Sequence, residues 1–202
     1  MEECEDLRSA ASHAASQRMQ QPPESPAQVT DRSSGRVRLK VLDSFDLSRQ
    51  RQSDRLLVRV QQLLSQHFPA LIERLFGDCL DGSTCLGNPQ LVFASGEPAI
   101  NVYEAGGTFE AHEDKQSLTI LVALSEPCAF EGGGTAFWSV ADCGVSYNFN
   151  RVADPETPTC VVRGAAGSAL VFGGQVTHGG RRLLTGQRAV LVASFSPKTP
   201  LM

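Results

Sequence analysis

The chain has 202 residues, of which 41% are apolar and 20% are charged, and its formal net charge is −4. This length predicts one domain, and the near-average composition argues against a chain that is disordered throughout. The acidic balance disfavours nucleic-acid binding through a broad basic surface. The longest apolar run falls far short of the roughly 20 residues that span a membrane. We therefore expect neither a nucleic-acid partner nor a membrane partner.

The first 36 residues are rich in Ser, Ala, Gln, Pro and charged side chains. Their stretch QQPPESPAQ has almost no apolar side chain to bury, so we expect residues 1–36 to form a flexible tail. The N-terminal MEECEDL is acidic and no apolar segment follows it, unlike a secretory signal. We expect a cytoplasmic protein whose six cysteines are free thiols, although Cys79 and Cys85 enclose a short loop that oxidation could close.

The first half of the remaining chain predicts one strand followed by two helices. Residues 37–44 alternate apolar and polar side chains, as a strand does. The next segment, SDRLLVRVQQLLSQHF, has apolar residues at helical spacing, with Ser53 or Asp54 as its N-cap. Pro69 ends or kinks this helix, and the short helix that follows it is closed by Gly77.

Beyond residue 90 the pattern changes to short apolar runs separated by glycine-rich turns. These runs are QLVF, AINVY, LTILVAL, TAFW, CVV, SALVF and RAVLVASF. Their spacing and β-branched content predict an antiparallel sheet, a sandwich or a barrel. Long helices do not alternate with the strands, which disfavours a doubly wound nucleotide-binding fold. We place one domain at residues 37–202, with its core at 99–196.

Two of the four histidines, His112 and His178, lie in this strand-rich half. Side chains two residues apart on a strand share a face, which selects Asp114 as the partner of His112 and turns Glu113 away. Two imidazoles and one carboxylate suit non-haem Fe(II) and leave coordination positions open. An HxD pair alone is more often structural, and it is the flanking glycine-rich turns that favour a metal site here.

Arg188 opens an apolar strand ten residues after His178. A guanidinium in the core of a sheet is costly unless an anion meets it, and its planar fork fits a carboxylate. We therefore expect Arg188 either to bind a carboxylate or to extend its charged end into solvent at the end of the strand.

The segment from Ala99 to Phe195 resembles the catalytic domain of the Fe(II)/2-oxoglutarate-dependent dioxygenases, and most of all the prolyl 4-hydroxylase and procollagen-lysyl hydroxylase group. The matching pieces, in family order, are INVYEAGGTFEAHED, SLTILVALSEPCAFEGGGTAFW, GSALVFGGQVTHGG and LLTGQRAVLVASF. The resemblance implies a double-stranded β-helix, or jelly roll, with N-terminal helices outside it. Glu113 departs from the aromatic residue that many relatives have there, and residues 139–159 have no recognisable match. We expect this unmatched segment near the mouth of the pocket.

The resemblance also implies the roles of individual residues. The implied iron ligands are His112, Asp114 and His178. Arg188 would bind the distal carboxylate of 2-oxoglutarate, and Tyr103 and Thr119 match more loosely as residues that help to hold this cosubstrate. The implied reaction hydroxylates a C–H bond of a prolyl or lysyl residue, consumes O2, and releases succinate and carbon dioxide. The implied partner is a protein or peptide substrate, and L-ascorbate would maintain the iron.

Other functions fit the same residues. The chain could be a non-catalytic jelly-roll module that binds metal or 2-oxoglutarate, or a cupin-type metalloenzyme that needs no cosubstrate. Cupins usually bring a glutamate and more closely spaced histidines to the metal and do not need Arg188. A structural sandwich with two core histidines is a third possibility. Phe137 and Trp138 could line a substrate groove, although aromatic residues on an apolar strand more often belong to the core.

Overall fold

The computed structural model describes residues 2–22, 34–80, 82–139, 143–145, 151–153 and 157–199, with the backbone alone at 143–145 and 151–153. The helices in these ranges are α1 (Glu2–Gln20), α2 (Val41–Ser44), α3 (Leu47–His67) and α4 (Pro69–Phe76). The strands are β1 (Arg36–Lys40), β2 (Leu91–Phe93), β3 (Ala99–Tyr103), β4 (Phe109–His112), β5 (Leu118–Ala123), β6 (Phe130–Gly132), β7 (Thr135–Phe137), β8 (Cys143–Val145), β9 (Arg151–Ala153), β10 (Cys160–Val162), β11 (Ala169–Phe172), β12 (His178–Gly180), β13 (Leu183–Gly186) and β14 (Arg188–Pro197). None of these helices is both long and apolar enough to cross a membrane.

The strands form two main antiparallel sheets. The large sheet has the order β1-β3-β14-β5-β11, and β2 pairs with the end of β14. The small sheet has the order β10-β7-β12-β4, and two separate pairs join β6 to β13 and β8 to β9. The predicted mainly β fold with N-terminal helices is confirmed, and each of the seven predicted apolar runs contains a strand.

Strand β14 lies in the centre of the large sheet and is covered on both faces. Leu191 and Ala193 belong to the hydrophobic cluster beneath the helices, whereas Val190 and Val192 belong to a second cluster on the opposite face. This double burial explains why RAVLVASF is an almost continuous apolar run instead of an alternating one. The second cluster borders the cavity described below.

The helix predicted to begin at Ser53 or Asp54 begins earlier in the structure. Asp46 caps α3, because its carboxylate accepts the backbone N–H of Arg49 at 3.0 Å. Asp54 instead holds the loop at residues 84–86, where its carboxylate accepts two backbone N–H groups at 2.7 Å each. The predicted capping residue is therefore wrong, since the sequence does not show that Asp54 has partners 30 residues away.

One other predicted boundary also moves, and the predicted boundary between the two helices is confirmed. The first strand ends at Lys40, and residues 41–44 form the short helix α2. Pro69 is the first residue of α4, and Gly77 closes that helix as predicted, with a φ of +50° that favours glycine.

Helix α1 corrects the predicted flexible tail. Glu2–Gln20 are helical, and one face of the helix is at most 2% exposed in the core that covers the large sheet. The buried residues of that face are Cys4, Leu7, Ala11 and Ala15. Three of these four are small or weakly hydrophobic, so the polar average composition conceals a helical stripe. The predicted boundary at residue 37 thus does not separate α1 from the core, and residues 23–33 of the predicted tail lie outside the described residues.

We expect Leu7→Ala to lower the free energy of unfolding by about 2–5 kcal/mol, because Leu7 is fully buried between α1 and the sheet. Urea denaturation followed by circular dichroism measures this loss. Leu63→Ala is the control, since its side chain on α3 is half exposed and its removal should cost about 0.5 kcal/mol or less. Equal losses of unfolding free energy in the two variants would show that α1 does not pack on the sheet and is a tail.

The described cysteine side chains are free thiols, as predicted. They are Cys4, Cys79, Cys85, Cys128 and Cys160, while the side chain of Cys143 lies outside the described residues. Cys79 and Cys85 therefore do not close their loop in this structure. Burial, and then the charge of Asp54, raise the pKa of Cys85 to about 12, so its thiol stays protonated.

Candidate metal centre

The three predicted iron ligands come together in the structure. His112 ends β4 and pairs across the small sheet with His178, which begins β12, and the loop after β4 brings Asp114 to both. One potential ligand atom from each residue lies within 4.8 Å of the other two. Asp114 Oδ1 is 3.4 Å from His112 Nε2, and Asp114 Oδ2 is 3.5 Å from His178 Nε2. The apolar run SALVF does not continue as one strand to His178, since β11 ends at Phe172 and β12 begins at His178.

Both imidazoles are held in the orientation that a metal ligand needs. Nδ1–H of His112 donates to the carbonyl of Glu110 at 2.8 Å, and Nδ1–H of His178 donates to the carbonyl of Val176 at 3.0 Å. With Nδ1 engaged in this way, each ring presents Nε2, the atom nearest Asp114, as the nitrogen that can bind a metal once it carries no proton. Burial, and then the charge of His112, lower the pKa of His178 and so favour its neutral form.

The surroundings of Asp114 keep its carboxyl group ionised. Burial works to raise the pKa of its carboxyl, but hydrogen bonds from His112 and Thr119 outweigh it and hold the pKa at about 2. The hydroxyl of Thr119 donates to Asp114 Oδ2 at 2.6 Å and lies 3.2 Å from Ser194 Oγ. An ionised carboxylate and two imidazoles with oriented Nε2 atoms thus form a donor set that suits a divalent cation.

Thr119 contacts the candidate metal ligand Asp114, and its predicted role in holding the cosubstrate stays a prediction. It is fully buried on β5. The sequence placed it in the correct strand, but the loop that carries Asp114 back onto β5 follows from tertiary structure alone.

We expect Thr119→Val to weaken divalent-metal affinity by about tenfold, because Asp114 loses the hydroxyl that orients it. Competition with a chromophoric chelator measures the dissociation constant. Thr119→Ser retains a hydroxyl at the same position and should restore most of the affinity. Wild-type affinity in the valine variant would show that Thr119 has only a packing role.

A cavity of about 230 Å³ lies beside the three ligands and is lined by residues of both sheets. Tyr103 and Arg188 line the same cavity, as does Glu113. The presence of Glu113 contradicts its predicted outward direction, since the alternation of a strand does not continue into the loop after β4. The site is a concave pocket with a few convergent polar groups, which is the usual form of a ligand site.

Arg188 lines this cavity at the start of β14 and is partly buried. Its Nη2 donates to Thr135 Oγ1 at 3.0 Å, and its guanidinium carbon lies 5.4 Å from the centre of the Tyr103 ring. Thr135 pairs with Gly180, two residues or about 7 Å along β12 from His178. Burial lowers the pKa of Arg188 without neutralising it. Within the described part of the chain, no carboxylate forms an ion pair with Arg188.

Tyr103 is 4% exposed and lies between Arg188 and β12. A Cβ at Gly180 would come within 3.1 Å of the Tyr103 ring and hydroxyl, so a glycine at this position permits their close approach. Trp138 is buried with Ala136 in a small cluster, as expected for a core residue, and Phe137 packs against Phe172.

The predicted position of residues 139–159 at the mouth of the pocket falls largely outside the described residues. Its two ends are nevertheless joined, because the backbone N–H of Ser139 donates to Thr159 Oγ1 at 2.7 Å.

Three lining residues, Arg38, Glu97 and Asn101, were not anticipated from the sequence. The available signal was the pattern RVRLK in β1, whose alternation places its basic residues on the face opposite its valine and leucine. Which strand pairs with β1 is not visible in the sequence, and this pairing is what brings Arg38 beside the candidate metal centre.

No family model and no curated protein matches this chain. Among solved structures, HygX from Streptomyces hygroscopicus, with nickel and 2-oxoglutarate bound, aligns with 98% of this chain and 79% of its own at 16% identity and a TM-score of 0.55. The chain shares the fold of HygX. An oxidoreductase of the 2OG-Fe(II) oxygenase family from Burkholderia pseudomallei aligns with 55% of this chain and 47% of its own, at 18% identity and a TM-score of 0.40. This chain thus spans about half the length of that protein, and we draw no conclusion about function from so partial a likeness.

Proposed function

We propose that this protein is an Fe(II)- and 2-oxoglutarate-dependent dioxygenase that hydroxylates a C–H bond. The proposal rests on one arrangement, in which three potential metal ligands and an arginine with no acidic partner among the described residues line a single cavity. The motifs between Ala99 and Phe195 and the fold shared with HygX, which was solved with 2-oxoglutarate and nickel, support it.

The residues fit the proposed iron. Two neutral imidazole nitrogens and one carboxylate oxygen form the donor set of non-haem Fe(II) sites, and they leave positions for a cosubstrate. His112 and His178 would bind through Nε2 because their Nδ1 atoms are engaged by backbone carbonyls, and Asp114 would bind through its carboxylate, which Thr119 orients.

The residues also fit 2-oxoglutarate. Arg188 would form a charge-assisted pair with its distal carboxylate, with Thr135 and Tyr103 fixing the guanidinium. When bound with iron, 2-oxoglutarate and O2 supply the oxidation, in which the substrate C–H bond becomes C–OH and 2-oxoglutarate becomes succinate and carbon dioxide. Val190, Val192 and Leu121 line the same cavity and would exclude water from it.

The resemblance to the prolyl 4-hydroxylase and procollagen-lysyl hydroxylase group supports three finer parts of this proposal. The substrate would be a prolyl or lysyl residue in a protein or peptide, and L-ascorbate would maintain the iron. The two sheets would be the faces of a double-stranded β-helix.

An anaerobic titration tests the proposal without a known substrate. Fe(II) and then 2-oxoglutarate are added to the purified protein, and the visible absorption spectrum is recorded. We expect a charge-transfer band that requires both additions. Iron binding without this band would contradict the assigned cosubstrate and favour a cupin-type metal site. A folded protein that binds no iron would contradict the proposal as a whole.

A second arm of this experiment separates catalysis from sensing. Once the band has formed, O2 is admitted and succinate is measured. We expect slow succinate formation even in the absence of substrate. A stable band that yields no succinate would instead favour a non-catalytic module that binds iron and 2-oxoglutarate.

A further inference from the structure

Strand β1 places a row of basic side chains on the face of the sheet that borders the cavity. Val37 and Leu39 are at most 5% exposed in the cluster beneath the helices, so the alternate residues take the opposite face. Those residues are Arg36, Arg38 and Lys40, and they pair in register with Tyr103, Asn101 and Ala99 of β3. Tyr103 lies beside Arg188, so the row and the proposed cosubstrate residue share one face of the large sheet.

Arg38 is the member of this row that lines the cavity beside His112 and Asp114. Its side chain is 24% exposed, and its Nη2 donates to Glu97 Oε1 at 2.9 Å. Glu97 is itself only 5% exposed, and its other oxygen accepts the backbone N–H of Ser194. A guanidinium carries five N–H donors in a rigid fork, so this anchored pair fixes Arg38 and leaves further donors for a ligand.

Asn101 gives an independent indication that this part of the cavity receives a polar ligand. It is 4% exposed, lines the cavity and pairs with Arg38 across β1 and β3. Its Oδ1 is buried and has no hydrogen-bond partner in the structure, and among the described lining residues it is the one buried side-chain acceptor in this state. A buried acceptor without a partner is costly, which favours a donor group on the ligand.

Arg188 and Arg38 could thus bind two different ligands in the same cavity. Arg188 lies next to Thr135 and Tyr103 and serves 2-oxoglutarate in the function proposed above. Arg38, with Glu97 and Asn101, would remain available to a second ligand beside the same metal ligands. In an oxygenase that second ligand is the substrate.

We propose that the substrate carries a carboxylate, which Arg38 binds, and a nearby N–H or O–H group, which donates to Asn101. This inference rests on the proposed function and specifies its substrate class. The carboxylate could belong to a free amino acid or to an acidic residue beside the target residue of a peptide. Both sources present the same chemistry to Arg38, since its fork fits a carboxylate through two parallel N–H···O bonds.

The test measures binding to nickel-loaded protein by calorimetry, so that no turnover occurs. Binding of 2-oxoglutarate is measured first, and its absence in the wild-type protein would contradict the proposed function itself. With 2-oxoglutarate bound, one arm titrates the free amino acids and their carboxamides. The other arm titrates short peptides in which Glu or Gln flanks a proline or a lysine. The arm that binds identifies the source of the carboxylate.

We expect at least one acid to bind, and we expect the affinity of its uncharged counterpart to be lower by about 30-fold or more. Arg38→Gln should weaken the acid to the level of that counterpart and leave 2-oxoglutarate affinity unchanged. Arg38→Lys keeps a cation beside the buried side chain of Glu97 and so preserves the fold. It lacks the planar guanidinium, so it should still bind the acid less tightly than the wild type does. Arg74→Gln, on the exposed face of α4, is the control and should match the wild type.

Four results would overturn the inference while leaving the proposed function intact. They are equal binding of the acid and its uncharged counterpart, unchanged acid affinity in both Arg38 variants, loss of 2-oxoglutarate affinity in Arg38→Gln, and a panel in which no acid binds in either arm.

Discussion

Replacing Asp114 with alanine should abolish metal binding and all iron-dependent turnover. Asp114 is the one carboxylate in the described ligand group, and its two oxygens lie 3.4 and 3.5 Å from Nε2 of His112 and His178. Without it, a divalent cation would meet two neutral imidazoles and no compensating charge. We expect the affinity for Fe(II) to fall by about 100-fold or more, beyond the loss typical of an outer-sphere partner, and the charge-transfer band to disappear.

Competition with a chromophoric chelator under anaerobic conditions gives the affinity, and the melting temperature reports whether the variant folds. His178→Ala should have a similar effect, because it removes a second ligand from the same group. Asp43→Ala is the control, since that carboxylate lies on the surface of α2. If Asp114→Ala kept full affinity, Asp114 would not be a ligand, and Glu113, which also lines the cavity, would be the next residue to replace.

The candidate ligands could be predicted because their signal is local. His112 and Asp114 are two residues apart, and His178 is followed by two glycines in a strand-rich segment. Arg188 was identifiable because a charged residue is conspicuous at the start of an apolar strand that buries both of its faces. The physical reason is the same in both cases, since an ionisable group inside an apolar sheet needs a partner.

The remaining features depend on contacts between distant parts of the chain. Arg38 reaches the cavity because β1 pairs with β3, more than 60 residues later in the chain, and no periodicity shows that pairing. Strands β4 and β12 are short, and β12 contains two glycines, so neither has the apolar alternation that predicts a strand. Helix α1 was missed because its buried stripe is made largely of alanine and cysteine.

Replacing Arg188 with methionine should weaken 2-oxoglutarate binding by about 30-fold or more while leaving metal binding unchanged. The carboxylate of the cosubstrate would lose its cation inside a cavity that Leu121, Val190 and Val192 make partly apolar. Fe(II) affinity should not change, because Arg188 contacts Thr135 and Tyr103 and none of the three metal ligands. Titration of 2-oxoglutarate into the anaerobic Fe(II) protein, followed by the charge-transfer band, measures the dissociation constant.

Arg188→Lys separates charge from geometry, because an ammonium keeps the cation but cannot form the two parallel hydrogen bonds of a guanidinium. We expect an affinity between those of the wild type and the methionine variant. Arg74→Met, at an exposed position on α4, is the control for the loss of an arginine. If the methionine variant were stable and kept wild-type affinity, Arg188 would be a structural cation of the sheet. The metal centre would then operate without this cosubstrate contact, as a cupin-type site does.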